Sequence, residues 1–135
     1  MMRLVVDTNV LMTFFWKNSK TRKLIMLGNS LELFSPEFAL DEIKKHKDEI
    51  LKKTNISEEE FNVIRIELAI SIKFYPVIFY KDFLKQSLDI SPDKNDIDFF
   101  ALALKLDLPI WSNDKNLKNP DMIKIISTKE LLQSY

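Results

Sequence analysis

Short apolar runs interrupted by single acids set the rhythm of this chain. Leu4-Val5-Val6 leads directly into Asp7-Thr8-Asn9 and then Val10-Leu11. A continuous apolar run of this kind suits a strand buried on both faces of a parallel sheet. Asp7 then stands at the strand's C-terminal end, where open α/β sheets place their ligand crevice. Thr8 or Asn9 can cap a short helix through Phe14 and Phe15. Thr21 to Leu27 reads as a helix closing at Gly28-Asn29, a C-cap. Leu31-Glu32-Leu33-Phe34 alternates and ends at Ser35-Pro36, a second strand followed by a helix entry.

Glu37 to Lys53 is a helix by pattern, with Phe38, Ala39, Ile43 and Ile50 on one side. Glu42 lies four residues after Phe38 and three after Ala39, so it projects near that apolar face, with His46 one turn on. Ser57-Glu58-Glu59-Glu60 opens another helix with a capping box, and Phe61, Ile64, Leu68 and Ile72 carry it towards Pro76. Val77 to Tyr80 is apolar and β-rich, which predicts a short strand or extended segment; Phe83 to Leu88 suits one or two helical turns. Ser91 to Asn95 is a turn and cap region in which Asp93 reads as a cap. The helix from Asp96 to Leu106 is apolar all round through Phe99–Leu104 and belongs in the interior. Leu108 to Trp111 predicts a short strand ending at Ser112-Asn113-Asp114, Met122 to Ile126 a final strand, and Ser127 to Tyr135 a final helix. Strands and helices alternate, so the expected fold is three-layer α/β/α with a mainly parallel central sheet.

Composition narrows the function more than the fold. The 135 residues suit a single domain, residues 1–135, with a real core. Twenty basic and 20 acidic residues leave no net charge, so nucleic-acid binding requires a local basic patch. The absence of Cys excludes disulfides and thiolate metal sites and is compatible with a cytoplasmic protein. A single Gly rules out the glycine-rich phosphate loops, which need several glycines for close backbone approach. No apolar run reaches the length of a membrane span, so no membrane partner is expected.

The remaining chemistry lies in acids. Asp7 and Asp114 each follow an apolar strand, Asp96 begins a buried helix, and Glu42 sits on a helix that packs on the sheet. Each also suits an ordinary structural role: Asp7 as a cap, Asp96 against a helix dipole, Asp114 as a turn former, Glu42 as a snorkelling edge residue. Four acids in one crevice would repel one another unless a cation neutralised them. An oxygen-only donor set suits a hard ion such as Mg²⁺ or Mn²⁺, and such a site favours phosphodiester hydrolysis.

Four stretches carry a resemblance that covers nearly the whole chain. They are Val5-Val6-Asp7-Thr8-Asn9-Val10-Leu11, Asp41-Glu42-Ile43 within the Pro36-to-Ile43 segment, Asp96-Ile97-Asp98-Phe99-Phe100-Ala101-Leu102-Ala103, and Ile110-Trp111-Ser112-Asn113-Asp114. With them the sequence resembles the PIN-domain ribonucleases, the fold of the VapC-type toxins of toxin–antitoxin pairs. The resemblance implies that Asp7, Glu42, Asp96 and Asp114 form the catalytic, metal-binding acid set, with Asn9 and Ser112 as supporting polar groups. It favours Asp96 over Asp98, because the family's acid stands about five residues before a small position, here Ala101. It further implies Mg²⁺ or Mn²⁺ as cofactor, single-stranded RNA as substrate, an antitoxin protein as partner where the member is a toxin, and a homodimer, as many members form. Lys17, Lys20, Arg22 and Lys23 follow the Asp7 strand and are candidates for RNA binding, although a solvated helix face explains them as well.

Other classes share individual features. A PIN nuclease in RNA processing would need no antitoxin. Aspartyl-phosphate phosphatases also end their first strand on an acid, but usually carry a second Asp two residues on, where this chain has Asn9. A non-catalytic binding module has no reason to keep four uncompensated acids.

Overall fold

The computed structural model describes residues 2–16, 19–26, 31–117 and 122–134. Its strands are β1 (Met2–Val6), β2 (Leu31–Pro36), β3 (Ile72–Tyr75), β4 (Ile110–Trp111) and β5 (Ile125–Ile126). The helices between them are α1 (Thr8–Met12), α2 (Lys20–Met26), α3 (Phe38–Lys45), α4 (Lys47–Thr54), α5 (Glu58–Ser71), α6 (Val77–Tyr80), α7 (Leu84–Ile90), α8 (Ile97–Leu106) and α9 (Thr128–Ser134). The strands form one sheet in the order β3-β2-β1-β4-β5, with every neighbouring pair parallel.

β1 lies at the centre, and its composition explains why. Leu4, Val5 and Val6 are all fully buried. Successive side chains of a strand point to opposite faces, so both faces of the sheet are covered by helices. The apolar helix α8 provides much of that cover, burying Phe99 to Ala103 as it packs on β1, β2 and β4. From β1 the chain winds outward through β2 and β3, then returns to β1's other side for β4 and β5. The winding therefore reverses between β1 and β4, and the crevice of such a sheet opens at that point, beyond the strands' carboxyl ends.

Several local expectations change in the folded chain. Val77–Tyr80 is a helical turn rather than a strand; the strand is the preceding Ile72–Tyr75, and α5 stops at Ser71. Both stretches are apolar, and the sheet decides between them. β2 offers residues 72–75 a full parallel partner, Leu33↔Ile72 through Pro36↔Tyr75, and Pro76 then serves as the N-cap of α6. The expected helix over residues 37–53 is two, α3 and α4, kinked at His46 (φ −96°, ψ 13°), although backbone bonds run across the kink from His46 to Glu42 and from Ile50 to His46. His46 is partly exposed and pairs with Glu49. The cap of α1 is Asp7, the structural role also weighed for it, and not Thr8 or Asn9. The two C-terminal strands are shorter than their apolar runs, and the Gly28-Asn29 cap lies outside the described residues. With one Gly in the chain, Asn55 and Asp107 take the left-handed conformation after α4 and α8, the residue types that tolerate it best apart from Gly.

One buried polar bond fixes the strand end from which the crevice is built. Ser35, fully buried, donates its hydroxyl to the Val6 carbonyl at 2.9 Å, tying β2 to the last residue of β1. Ser35→Ala leaves that carbonyl without this donor, and its expected cost is about 1–3 kcal/mol. Urea unfolding checks this: a lowered midpoint at unchanged slope is expected, whereas an unchanged midpoint means the bond contributes nothing net.

Candidate active site

Asp7 begins where β1 ends. It is 4% exposed, its Oδ1 accepts the Val10 backbone N–H at 2.9 Å as the cap of α1, and its side chain also bonds the Ser112 hydroxyl. Ser112 follows β4, the parallel neighbour of β1, and its Oγ accepts the Asp114 N–H at 3.1 Å. One hydroxyl thus links the acids at the ends of the two central strands. Asp114 is turned by its own bond from the Asn116 N–H, 2.9 Å from Oδ1. Asp96 occupies the N-cap position of α8 but makes no capping bond, which leaves its carboxylate to the crevice. Glu42 reaches the same place from α3, where its Oε1 accepts the Thr8 hydroxyl at 2.5 Å.

These acids line one cavity of about 200 Å³. Its wall holds Asp7, Glu42, Asp96 and Asp114 with Thr8 and Asn9; Asp93, Asn95 and Phe99 complete it. The carboxylates act on one another electrostatically. Asp7 is pushed up from its ordinary 3.8 to about 6, first by burial; its hydrogen bonds from Ser112 and Val10 work the other way, and the charges of Asp114 and Glu42 add to the rise. Asp96 also rises to about 6, through burial and then the charges of Asp93, Asp7, Asp114 and Glu42. Both shifts have the sign expected of acids that are desolvated beside like charges.

The four acids singled out in the sequence therefore meet at the sheet's reversal point, with Asn9 on the wall and Ser112 between Asp7 and Asp114. Asp98, two residues from Asp96, turns away and accepts the Tyr80 hydroxyl at 2.5 Å. Among the described residues, the basic candidates Lys20, Arg22 and Lys23 are not on the wall. Lys20 and Lys23 are exposed on α2, while Arg22 pairs with Glu67 at 3.4 Å and lies over the Phe14 ring. Lys17 lies outside the described residues. Four wall residues are additions: Thr8, Asp93, Asn95 and Phe99. Asp93 is a cap, as its turn suggests, through its bond from the Asn95 N–H, yet it also adds a fifth acid. Thr8 shows no sign in the sequence beyond its place between Asp7 and Asn9.

As a donor set the site suits a hard divalent ion: every acidic side chain on the cavity wall offers oxygen. The cage is not preformed. Among the described residues no group of three or more His, Cys, Asp or Glu side chains is already arranged to hold a metal.

The raised Asp7 makes the metal-free fold pH-sensitive. Its folded value exceeds the unfolded one, so the folded state binds the extra proton, and stability falls as pH rises from about 3.8 through about 6. Asp7→Asn keeps the cap and removes the charge. In EDTA at pH 7.5 this variant is expected to be more stable than wild type by roughly 1–3 kcal/mol, a gain that vanishes near pH 4. Thermal unfolding across that range tests it; a less stable Asn variant at pH 7.5 would show that the buried charge is compensated within the protein.

Known proteins share this architecture. A family model described as PIN domain matches residues 5–132. Among solved structures, the chain is similar to the crystal structure of VapBC2 from Rickettsia felis bound to a DNA fragment from their promoter. The TM-score is 0.65 at 16% sequence identity, with 93% of this chain and 98% of that chain covered, so the likeness is one of fold. Among curated proteins no relative matches. The family match spans all four acids of the crevice and nearly the whole length, and the chain belongs to the PIN-domain family.

Proposed function

We propose that this protein is a metal-dependent endoribonuclease that hydrolyses phosphodiester bonds of single-stranded RNA, and that it acts as the toxin of a toxin–antitoxin pair. PIN domains are generally nucleases that use divalent metal ions. The observation that carries the reading is the convergence of Asp7, Glu42, Asp96 and Asp114 on one small cavity at the carboxyl edge of the sheet. Those four side chains would hold Mg²⁺ or Mn²⁺. When bound, the ion supplies Lewis-acid chemistry: activation of water and stabilisation of the charge on the leaving oxygen.

The chain's own groups do the rest. Ser112 and the Val10 N–H fix Asp7 from two sides, so its carboxylate has little freedom to lose when charge is neutralised. Asn9 is exposed on the cavity wall and offers both an amide donor and an acceptor to water or to a substrate hydroxyl. Phe99 keeps one side of the recess apolar. A cavity of about 200 Å³ has room for a phosphodiester and little else, which suits a strand flexible enough to lay one phosphate into it. Water is the nucleophile, and no covalent intermediate is involved.

Two observations support a protein partner. The similar Rickettsia felis structure is described as VapBC2 with a fragment of promoter DNA. In this chain Val63, Ile66 and Ile70 form an exposed apolar stripe along α5, with Ile70 81% exposed. Such a stripe is more apolar than a solvated helix face needs to be and suits a covering antitoxin or a second copy.

Incubation of purified protein with single-stranded RNA tests the activity. Cleavage is expected with Mg²⁺ or Mn²⁺ and none in EDTA, and Asp7→Asn, Glu42→Gln, Asp96→Asn and Asp114→Asn should each slow it by about 100-fold or more. Equal cleavage by wild type and the Asp7→Asn variant would assign the activity to a contaminant and end this reading.

A further inference from the structure

Helix α3 separates two recesses of opposite charge. Glu42 lines the acid crevice, whereas Leu40 and Lys44, two residues to either side of it, line a separate cavity of about 350 Å³ between α3, α4 and α5. Side chains four apart share a helix face and those two apart do not, so the helix itself divides the recesses. The floor of the second is apolar, made by Leu40 and by the buried Phe61, which stacks on Phe15 at 4.8 Å. Its lining carries three cations, Lys44 on α3, Lys47 on α4 and Arg65 on α5, against the single acid Asp41. Lys47 is held over the Phe61 ring at 5.7 Å and lies 3.5 Å from Glu58. Lys44 and Arg65 are exposed, and among the described residues neither forms an ion pair.

We propose that this basic groove is a second binding site for the RNA substrate, holding backbone phosphates of the strand whose scissile bond lies in the crevice. The proposal rests on the ribonuclease reading above and adds the surface that gives a chain with no net charge its hold on a polyanion. Positive charge continues across α3 between the two recesses. Lys45 is exposed and lies within one turn of both Glu42, on the crevice, and Asp41, on the groove. A helix with its side chains is about 10–12 Å across, and that is the width a strand has to cross. A solvated helix face needs neither a cavity nor cations converging from three helices. Three cations spread over separate helices suit successive phosphates of a strand better than one enclosed anion. Contacts of this kind position a strand without reading its bases.

Binding of fluorescein-labelled single-stranded RNA in EDTA, read by anisotropy across a salt series, tests the groove without turnover. Joint replacement Lys44→Gln and Arg65→Gln is expected to weaken binding about tenfold at low salt. It should also lower the slope of log affinity against log salt by about 1.4, since each phosphate contact on a single strand contributes about 0.7. Joint replacement Lys81→Gln and Lys85→Gln removes the same charge from exposed positions after α6 and on α7, and should leave the slope at its wild-type value. Lys44→Arg with Arg65→Lys keeps both charges and should leave it there too. Equal losses from the two glutamine pairs, or no loss from the groove pair, overturn the proposal. Displacement of the RNA by AMP at the same phosphate concentration also overturns it, and makes the groove a site for a small free anion. The chemistry is judged apart: groove-dependent binding with no cleavage in Mg²⁺ or Mn²⁺ supports the RNA site and removes the ribonuclease reading.

Discussion

Mutual repulsion among carboxylates at the end of the central strand is the constraint around which this fold is arranged. The sheet's topology brings Asp7 and Asp114 to one edge, and helices add Glu42 and Asp96. Left to themselves, such groups would separate or take up protons, and Asp7 and Asp96 are raised first by burial and further by their charged neighbours. What keeps them together is polar scaffolding that costs little: a helix cap on Asp7, a serine between Asp7 and Asp114, a threonine on Glu42. The stability of the β1–β4 edge and the chemistry proposed for it therefore oppose each other. A site that is electrostatically unfavourable when empty gains the most when a cation arrives.

The main architecture was legible because it is written in long-range hydrophobic pattern. Leu4-Val5-Val6 could only be a strand covered on both faces, and Phe99–Leu104 could only be an interior helix. The acids were legible for the same reason, since each interrupts or ends one of those runs. What could not be read was decided by neighbours. Residues 77–80 are more apolar than 72–75, which include Lys73, yet the open edge of β2 selected the latter as the strand. The break at His46 leaves no mark in a pattern that continues smoothly from α3 into α4. Nor does composition tell which of Asp7, Thr8 and Asn9 caps α1. That depends on how the chain leaves β1, and it releases Thr8 to face Glu42.

Positive charge departs most from the simplest sequence expectation. The run from Lys20 to Lys23 follows the crevice strand closely, yet it contributes nothing to the cavity wall, and Arg22 is turned towards Glu67 on α5. Proximity along the chain is a poor guide here, because Arg22 pairs with Glu67 and lies over Phe14 instead of reaching the cavity wall. A neutral chain that handles a polyanion must gather its attraction elsewhere, and a divalent ion in the crevice would be the most concentrated source of it.

The pairing of β1 with β4 has a consequence for synthesis. Val6 lies beside Trp111, more than a hundred residues later in the chain, and the acid that completes the crevice follows that second strand. A nascent chain that has emerged only through α8 carries Asp7, Glu42 and Asp96, but not the strand that positions Asp114. At the translation rates of living cells, the bulk of the polypeptide leaves the ribosome several seconds before the fourth carboxylate can dock. The crevice thus waits for β4, and a growing chain that stops short of that strand cannot present the full acid set.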